Sequence, residues 1–389
     1  MQSMTKINKQ KKREQLKSVF SFFSVILLTL AMGAYGYHSA LAEANGELLA
    51  DASLISIFVS TFLKIVVGIY IATILQVIIH EAGHLICGLA QGYRFISFRV
   101  GSFIWIREEG RLKMKRFSLA GMAGQCLLEP PKLPIDELPY VWYLLGGLIA
   151  EGGVSLLSFV LYLHFRDIAY VSTFLLIFTG IGIVLIFING IPLKSLQNDA
   201  YFLLQLRRDK RSIYAFCKQM EMMEQMTRGV RIKDMPDKWF QTPIEEMQNS
   251  LMATLGASAY ERLIDTLQFD EAECLAEQLL ALDSLADMHR NAIAINRIYC
   301  ELIGENQRDV VNMLRNEKYQ KIAKIMSKYP AILRTEYAYA LLFENDAKKA
   351  RKIMKKFEKV AQTYPYAGEI EGERERIDIV NRRSNERNV

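Results

Sequence analysis

Four long apolar runs fall within residues 18–192, and they constrain this chain more than any other feature. They cover 19–34, 54–89, 140–165 and 168–192. A helix rises ~1.5 Å per residue and a bilayer core is ~30 Å thick, so about 20 apolar residues cross it. Residues 200–389 are different: charged, helix-periodic and poor in Gly and Pro. The overall content of 51% hydrophobic and 23% charged residues therefore describes neither half, although it excludes disorder throughout and collagen-like repetition. The five cysteines have no paired spacing, which argues against a disulfide framework or a cysteine zinc site.

Charge placement predicts a topology. The basic tail 1–17 carries six Lys/Arg and one Glu, segment 91–138 carries eight Lys/Arg against five Asp/Glu, and Arg207, Arg208, Lys210 and Arg211 follow the fourth run. The positive-inside rule puts these three segments, and both termini, in the cytoplasm. Residues 18–38 read as a transmembrane helix or a signal-like segment, because Ala40-Leu41-Ala42 has the form of a signal-peptidase site. The second run is too long for one span. Lys64 divides it into an interfacial lead-in, 54–63, and a spanning helix, 64–90, with the lysine snorkelling to the outer surface. The expectation is a multi-pass cell-membrane protein in contact with the lipid bilayer.

His80-Glu81-Ala82-Gly83-His84 is an H-E-x-x-H pattern. On a helix, residues i and i+4 share a face, so both imidazoles can reach one Zn2+, with Glu81 beside them as general base. Ionisable groups inside a membrane helix are costly, ~2.5 kcal/mol or more at its centre, and this makes a metal site the favoured reading over satisfied polar residues. A catalytic zinc wants three protein ligands and an open position. Asn189 and Pro192 break the fourth run, and Asp199 follows as the best third ligand. The competing role is that Asn198 or Asp199 merely caps the next helix. Glu151, about twelve residues into the third run, is a proton relay, a partner of a ligating histidine, or the third ligand if Asp199 is not.

With these motifs, residues 64–200 resemble the site-2 protease family of intramembrane zinc metalloproteases. That family carries H-E-x-x-H in one membrane helix, and N-x-x-P followed by L-D-G in a later one. Here N-x-x-P is Asn189 to Pro192, whereas Asp199 lies between Asn198 and Ala200 and about two residues further on than the family pattern. Gly147-Leu148-Ile149-Ala150-Glu151 looks like the family's G-P-x-x-N element, with Glu in place of Asn and no proline. The resemblance implies an intramembrane zinc metalloendopeptidase that cuts a membrane-bound protein or peptide substrate (a regulator, an anti-sigma factor or a signal-peptide remnant) near the cytoplasmic face. Glu81 would be the proton acceptor, and Asn189 would donate to the substrate carbonyl or oxyanion. The alternative is a non-cleaving membrane regulatory or binding module that retains its zinc site.

The family also has a small membrane-associated β-structure after the histidine helix. Residues 95–100 and 103–106 are rich in strand formers, and 111–115 alternates with period two. Phe95, Ile96, Phe98 and Val100 are expected to hold an extended substrate by edge pairing. The predicted organisation is an all-α polytopic membrane protein with a small β-hairpin insertion at 95–117, its membrane-embedded core spanning 53–199. It ends in a soluble cytoplasmic α-helical domain, 200–389, resembling a tetratricopeptide solenoid. Tyr329-Pro330 and Tyr364-Pro365, 35 residues apart, are expected to end helices at equivalent places. The tail could hold a cytoplasmic protein partner. Lysine runs such as Lys348-Lys349 and Lys355-Lys356 read as solvated faces, and no nucleic-acid motif is present.

Overall fold

The computed structural model describes residues 54–387, apart from 109, 118–121 and 195. The basic tail 1–17 and the segment 18–38 lie outside the described residues. The chain divides into two compact units, 1–87 with 141–202, and 88–140 with 203–389.

Among the described residues, the first unit is built on three helices, α1 (Leu54–Ala90), α2 (Tyr140–His164) and α3 (Ala169–Gly190). Among the described residues three helical stretches, Phe62–Ala90, Ile135–His164 and Tyr170–Gly190, are long and apolar enough to cross a membrane, by length and composition. Their outer faces are apolar too. Leu63, Tyr70, Ile86 and Leu156 are exposed, as helices require when lipid rather than water surrounds them. α1 runs unbroken through Lys64, and its candidate span begins at Phe62. The Lys64 ammonium donates to the Tyr170 hydroxyl at the start of α3 at 3.3 Å. Ile65, Ala72, Ile177, Phe178 and Ile181 form the apolar contact between α1 and α3. α1 and α2 touch through backbone: a Cβ on Gly83 would lie 2.2 Å from the Gly146 oxygen, so only glycine permits this crossing. α3 stops at Gly190, two residues before Pro192, which has no N–H to continue the ladder.

The break after α3 is closed by one side chain. Asn198 donates to the carbonyls of Ile188 and, at 2.6 Å, Ile191, while its Oδ1 accepts from Leu193 N at 3.2 Å and Tyr201 N at 3.0 Å. It satisfies the frayed end of α3 and caps α4 (Asp199–Arg208) together. The capping role thus belongs to Asn198, and Asp199 is left free for another one.

The second unit holds a four-stranded antiparallel sheet, β1 (Arg94–Val100), β2 (Phe103–Glu108), β3 (Arg111–Arg116) and β4 (Gly124–Glu129), in the order β3-β2-β1-β4. Gly110, at φ +75°, makes the β2–β3 turn. This corrects the expected hairpin: β4 pairs with the far side of β1, so β1 is an interior strand. Phe98 and Val100 are paired on both sides, with β2 and β4, and Phe95 pairs with Leu128 of β4. β1 therefore does not present a free edge to a substrate, as was expected of Phe95, Ile96, Phe98 and Val100. The sheet also differs from its expected place in the membrane core. Ile104 and Ile106 are fully buried against Leu333 of the helix Pro330–Ala338, Phe357 of the helix Ala347–Ala361, and Tyr364 and Tyr366 of the turn before the helix Ala367–Arg387. An apolar strand face needs a covering layer, and here the distant tail supplies it.

That tail is mostly helical: α5 (Lys210–Thr227), α6 (Ser250–Asp265), α7 (Phe269–Ala281), α8 (Asp287–Ile303), α9 (Arg308–Leu314), α10 (Glu317–Ile325), α11 (Pro330–Ala338), α12 (Ala347–Ala361) and α13 (Ala367–Arg387), with short 3-10 turns between α5 and α6. Pro330 opens α11 rather than closing a helix, since its missing N–H is harmless in the first turn. Among the described residues no cysteine forms a disulfide.

A buried ion network ties α6, α11 and α13. Arg334 is fully buried, donating to Glu373 at 2.9 Å and to Asn296 at 2.6 Å, with its guanidinium 4.0 Å from the Tyr299 ring centroid. Arg376 bridges Glu373 at 3.2 Å and Asp265 at 3.0 Å. Burial alone would push the Glu373 carboxyl up, but the two guanidinium groups hold it down at about 2. A depressed carboxylate stabilises the fold fully above its unfolded value, ~4.3, and loses that contribution as pH falls toward the folded one. Arg334→Ala leaves Glu373 short of a partner. It is expected to destabilise this unit by about 3–5 kcal/mol and to move acid unfolding to higher pH, measured by urea titration followed by far-UV circular dichroism. A loss below about 1 kcal/mol would mean the network is not holding the helices.

Candidate metal centre

His80, Glu81 and His84 are buried on α1, at 8%, 8% and 6% exposure, in an otherwise apolar stretch. The two imidazoles sit one turn apart with their rings nearly perpendicular, at 82°, and their Nε2 atoms 3.0 Å apart. Asp199, first residue of α4, brings its Oδ2 to 3.0 Å from His80 Nε2 and 3.4 Å from His84 Nε2.

The outer nitrogens fix the tautomers. His84 Nδ1 lies 2.7 Å from the Tyr143 carbonyl oxygen, which can only accept, so that nitrogen carries the proton. His80 Nδ1 lies 3.1 Å from Glu151 Oε2 and donates to it. With both imidazoles neutral, the Nε2 atoms then point lone pairs at each other and at Asp199 Oδ2, a buried oxygen with no hydrogen-bond partner. Three such atoms at 3.0–3.4 Å repel one another unless they share a cation. The edge of a tetrahedron with metal–ligand bonds of ~2.0–2.1 Å is ~3.3 Å, which matches these separations. Charge points the same way: Glu151 and Asp199 bring two carboxylates against the imidazoles, and a divalent cation would offset those charges. Among the described residues, His80, His84 and Asp199 form a group able to hold a metal ion.

Glu151 is fully buried on α2 and reaches the ring nitrogen facing away from that group, which is how a carboxylate orients a ligating histidine. Asn189 is half-buried on the last turn of α3, outside the group of three. Phe95, Ile96, Phe98 and Val100 belong to the other unit; Ile96 is buried and the other three are half-buried.

Sequence reasoning missed Gly147. A Cβ there would lie 2.6 Å from His80 Cε1 and 2.7 Å from both His80 Nε2 and His84 Nε2. The histidine pair occupies the space any other residue would fill. Tyr143, Gly147, Glu151 and Ser155 recur every four residues on α2, facing Gln76, His80 and His84 on α1, and Gln76 donates to Ser155 at 3.2 Å. Polar and small residues at a spacing of four in two apolar runs were the available signal.

Comparison of the chain with protein-family models, curated proteins and solved structures gives no match. The functional reading therefore stands on the site's own geometry.

Proposed function

We propose that this protein is an intramembrane zinc metalloendopeptidase, hydrolysing a peptide bond of a membrane-embedded protein or peptide near the cytoplasmic face. The observation that carries the reading is the convergence of His80 Nε2, His84 Nε2 and Asp199 Oδ2 within 3.0–3.4 Å, with Glu81 next in sequence to the first ligand. Two imidazoles and one carboxylate are a zinc set that leaves a coordination position open. The resemblance of His80 to His84 and of Asn189 to Pro192 to site-2 protease motifs agrees with it, as do the three apolar helices.

His80, His84 and Asp199 would hold the ion, and when bound it supplies Lewis acidity toward a peptide carbonyl and makes water easier to deprotonate. Glu81 takes the proton of the attacking water and returns it to the leaving amine. Glu151 and the Tyr143 carbonyl hold the imidazoles in the tautomer that presents Nε2. Gly147 keeps the space between them open. Asn189, at the broken end of α3, is a candidate donor to the substrate carbonyl. The positive-inside pattern supports a cytoplasmic tail and termini.

In proteoliposomes containing single-span test substrates, the purified chain is expected to generate new amino termini inside the substrate's apolar segment. Chelation should stop this and added zinc restore it. Cleavage that persists after chelation has emptied the site would exclude the metal-dependent mechanism.

A further inference from the structure

We propose that the second unit docks on anionic lipid headgroups through the basic face of α12. The inference rests on the reading that α1 to α3 cross a membrane, and it goes beyond the proteolytic role. α12 carries seven Lys/Arg and a single acid in 15 residues. Its Ala350, Ile353, Met354 and Phe357 pack into the core beneath the sheet, which fixes the rotation of the helix. The opposite side therefore presents Lys348, Arg351, Lys352, Lys355, Lys356 and Lys359, all exposed. Among the described residues none of these six has an ion-pair partner. The acid in the helix, Glu358, bonds Arg374, and Lys349 bonds Glu344.

The basic surface continues past the end of the helix. The Arg116 N–H donates to the Thr363 carbonyl at 3.1 Å, so β3, which carries Arg111, Lys113, Lys115 and Arg116, abuts the C-terminal end of α12. Glu108 is the acid that offsets part of it, bonding Lys113 and Lys115 at 3.2 Å each. An ordinary solvated helix face mixes both signs, whereas one sign concentrated on a rigid face is complementary to a surface of the other. Chain connectivity selects which surface. Residues 91–93 alone separate the end of α1 from β1, and at ~3.3–3.6 Å per residue that tether holds the start of the sheet within about 15 Å of a span's end. A polybasic face in a domain tethered to a bilayer by so short a link meets anionic headgroups at far higher local concentration than any free polyanion.

The test uses the full chain reconstituted in nanodiscs of phosphatidylcholine alone or with phosphatidylglycerol. Lysine acylation is read residue by residue by mass spectrometry. Lys348, Lys352, Lys355, Lys356 and Lys359 are expected to react about three-fold or more slowly in the anionic discs, with the difference removed by 1 M salt as counterions screen the surface (Debye length ~3 Å). Lys321, exposed on α10, serves as the control and should react equally in both. A variant with Lys352→Glu, Lys355→Glu and Lys356→Glu should lose protection at Lys348 and Lys359 while Lys321 is unchanged. Equal reactivity in both discs would overturn the docking and leave the membrane reading intact. So would protection that appears only when RNA or an acidic protein is added. A chain that fails to enter the discs would overturn both readings.

Discussion

Glu81→Gln is expected to abolish peptide-bond cleavage while leaving the metal in place. Glutamine keeps the size and hydrogen-bonding capacity of the side chain but cannot take a proton from water at neutral pH. General-base catalysis of this kind is worth about 10²–10⁴ in rate. Glu81 is not in the ligand group, which consists of His80, His84 and Asp199, so the substitution has no reason to release the ion. The two readouts are new amino termini in the membrane fraction of cells carrying wild type or variant, and zinc content of both purified proteins. Undiminished cleavage would remove Glu81 from the mechanism. If neither protein cleaves any membrane substrate yet both bind zinc, the non-cleaving regulatory module becomes the better reading.

Gly147→Ala should be nearly as damaging, for a purely steric reason. The added methyl would fall 2.6–2.7 Å from the ring atoms of His80 and His84, closer than any carbon can approach. These histidines have little room to retreat, since His84 is held by the Tyr143 carbonyl at 2.7 Å and His80 by Glu151 at 3.1 Å. One methyl group must therefore either displace the ligand nitrogens or separate α2 from α1. In both cases zinc affinity is expected to fall by about 10–100-fold, and cleavage with it, as for other changes that disturb ligand orientation. The measurement is a competitive zinc titration against a chelating dye, with far-UV circular dichroism to establish that the helices persist. Gly190→Ala provides the comparison: a Cβ there meets only the Leu148 methyls at 3.7 and 3.9 Å, so zinc binding should be unaffected. Equal affinities for wild type and Gly147→Ala would mean that the histidine pair is not seated as described.

The features legible in the sequence are those set by local physics. Apolar length and helix-breaking residues fixed α2 and α3 closely, at Tyr140–His164 and Ala169–Gly190 against expectations of 140–165 and 168–192. The i, i+4 spacing of His80 and His84 placed them on one face because helix periodicity leaves no other outcome. Asp199 lies about two residues beyond the spacing of the site-2 protease pattern. The turn after Pro192 absorbs those residues: Gln197 adopts a left-handed conformation at φ 50°, and Leu196 N and Gln197 N both bond the Leu193 carbonyl. The rest depended on contacts between distant segments. The sequence Gly124-Gln125-Cys126-Leu127-Leu128-Glu129 has no clean alternation, so β4 and the interior position of β1 were hidden. The burial of Ile104 and Ile106 comes from residues more than two hundred positions away. Gly147 carries no chemistry of its own, and its role emerges only when two helices are brought together.

The central claim is that His80, His84 and Asp199 share one divalent cation. Elemental analysis of the purified, detergent-solubilised chain tests it most directly. About one zinc per chain is predicted, falling to background in a His80→Ala, His84→Ala double variant that remains helical. Wild-type protein without zinc even after incubation with the metal, or a double variant that keeps its full complement, would contradict it.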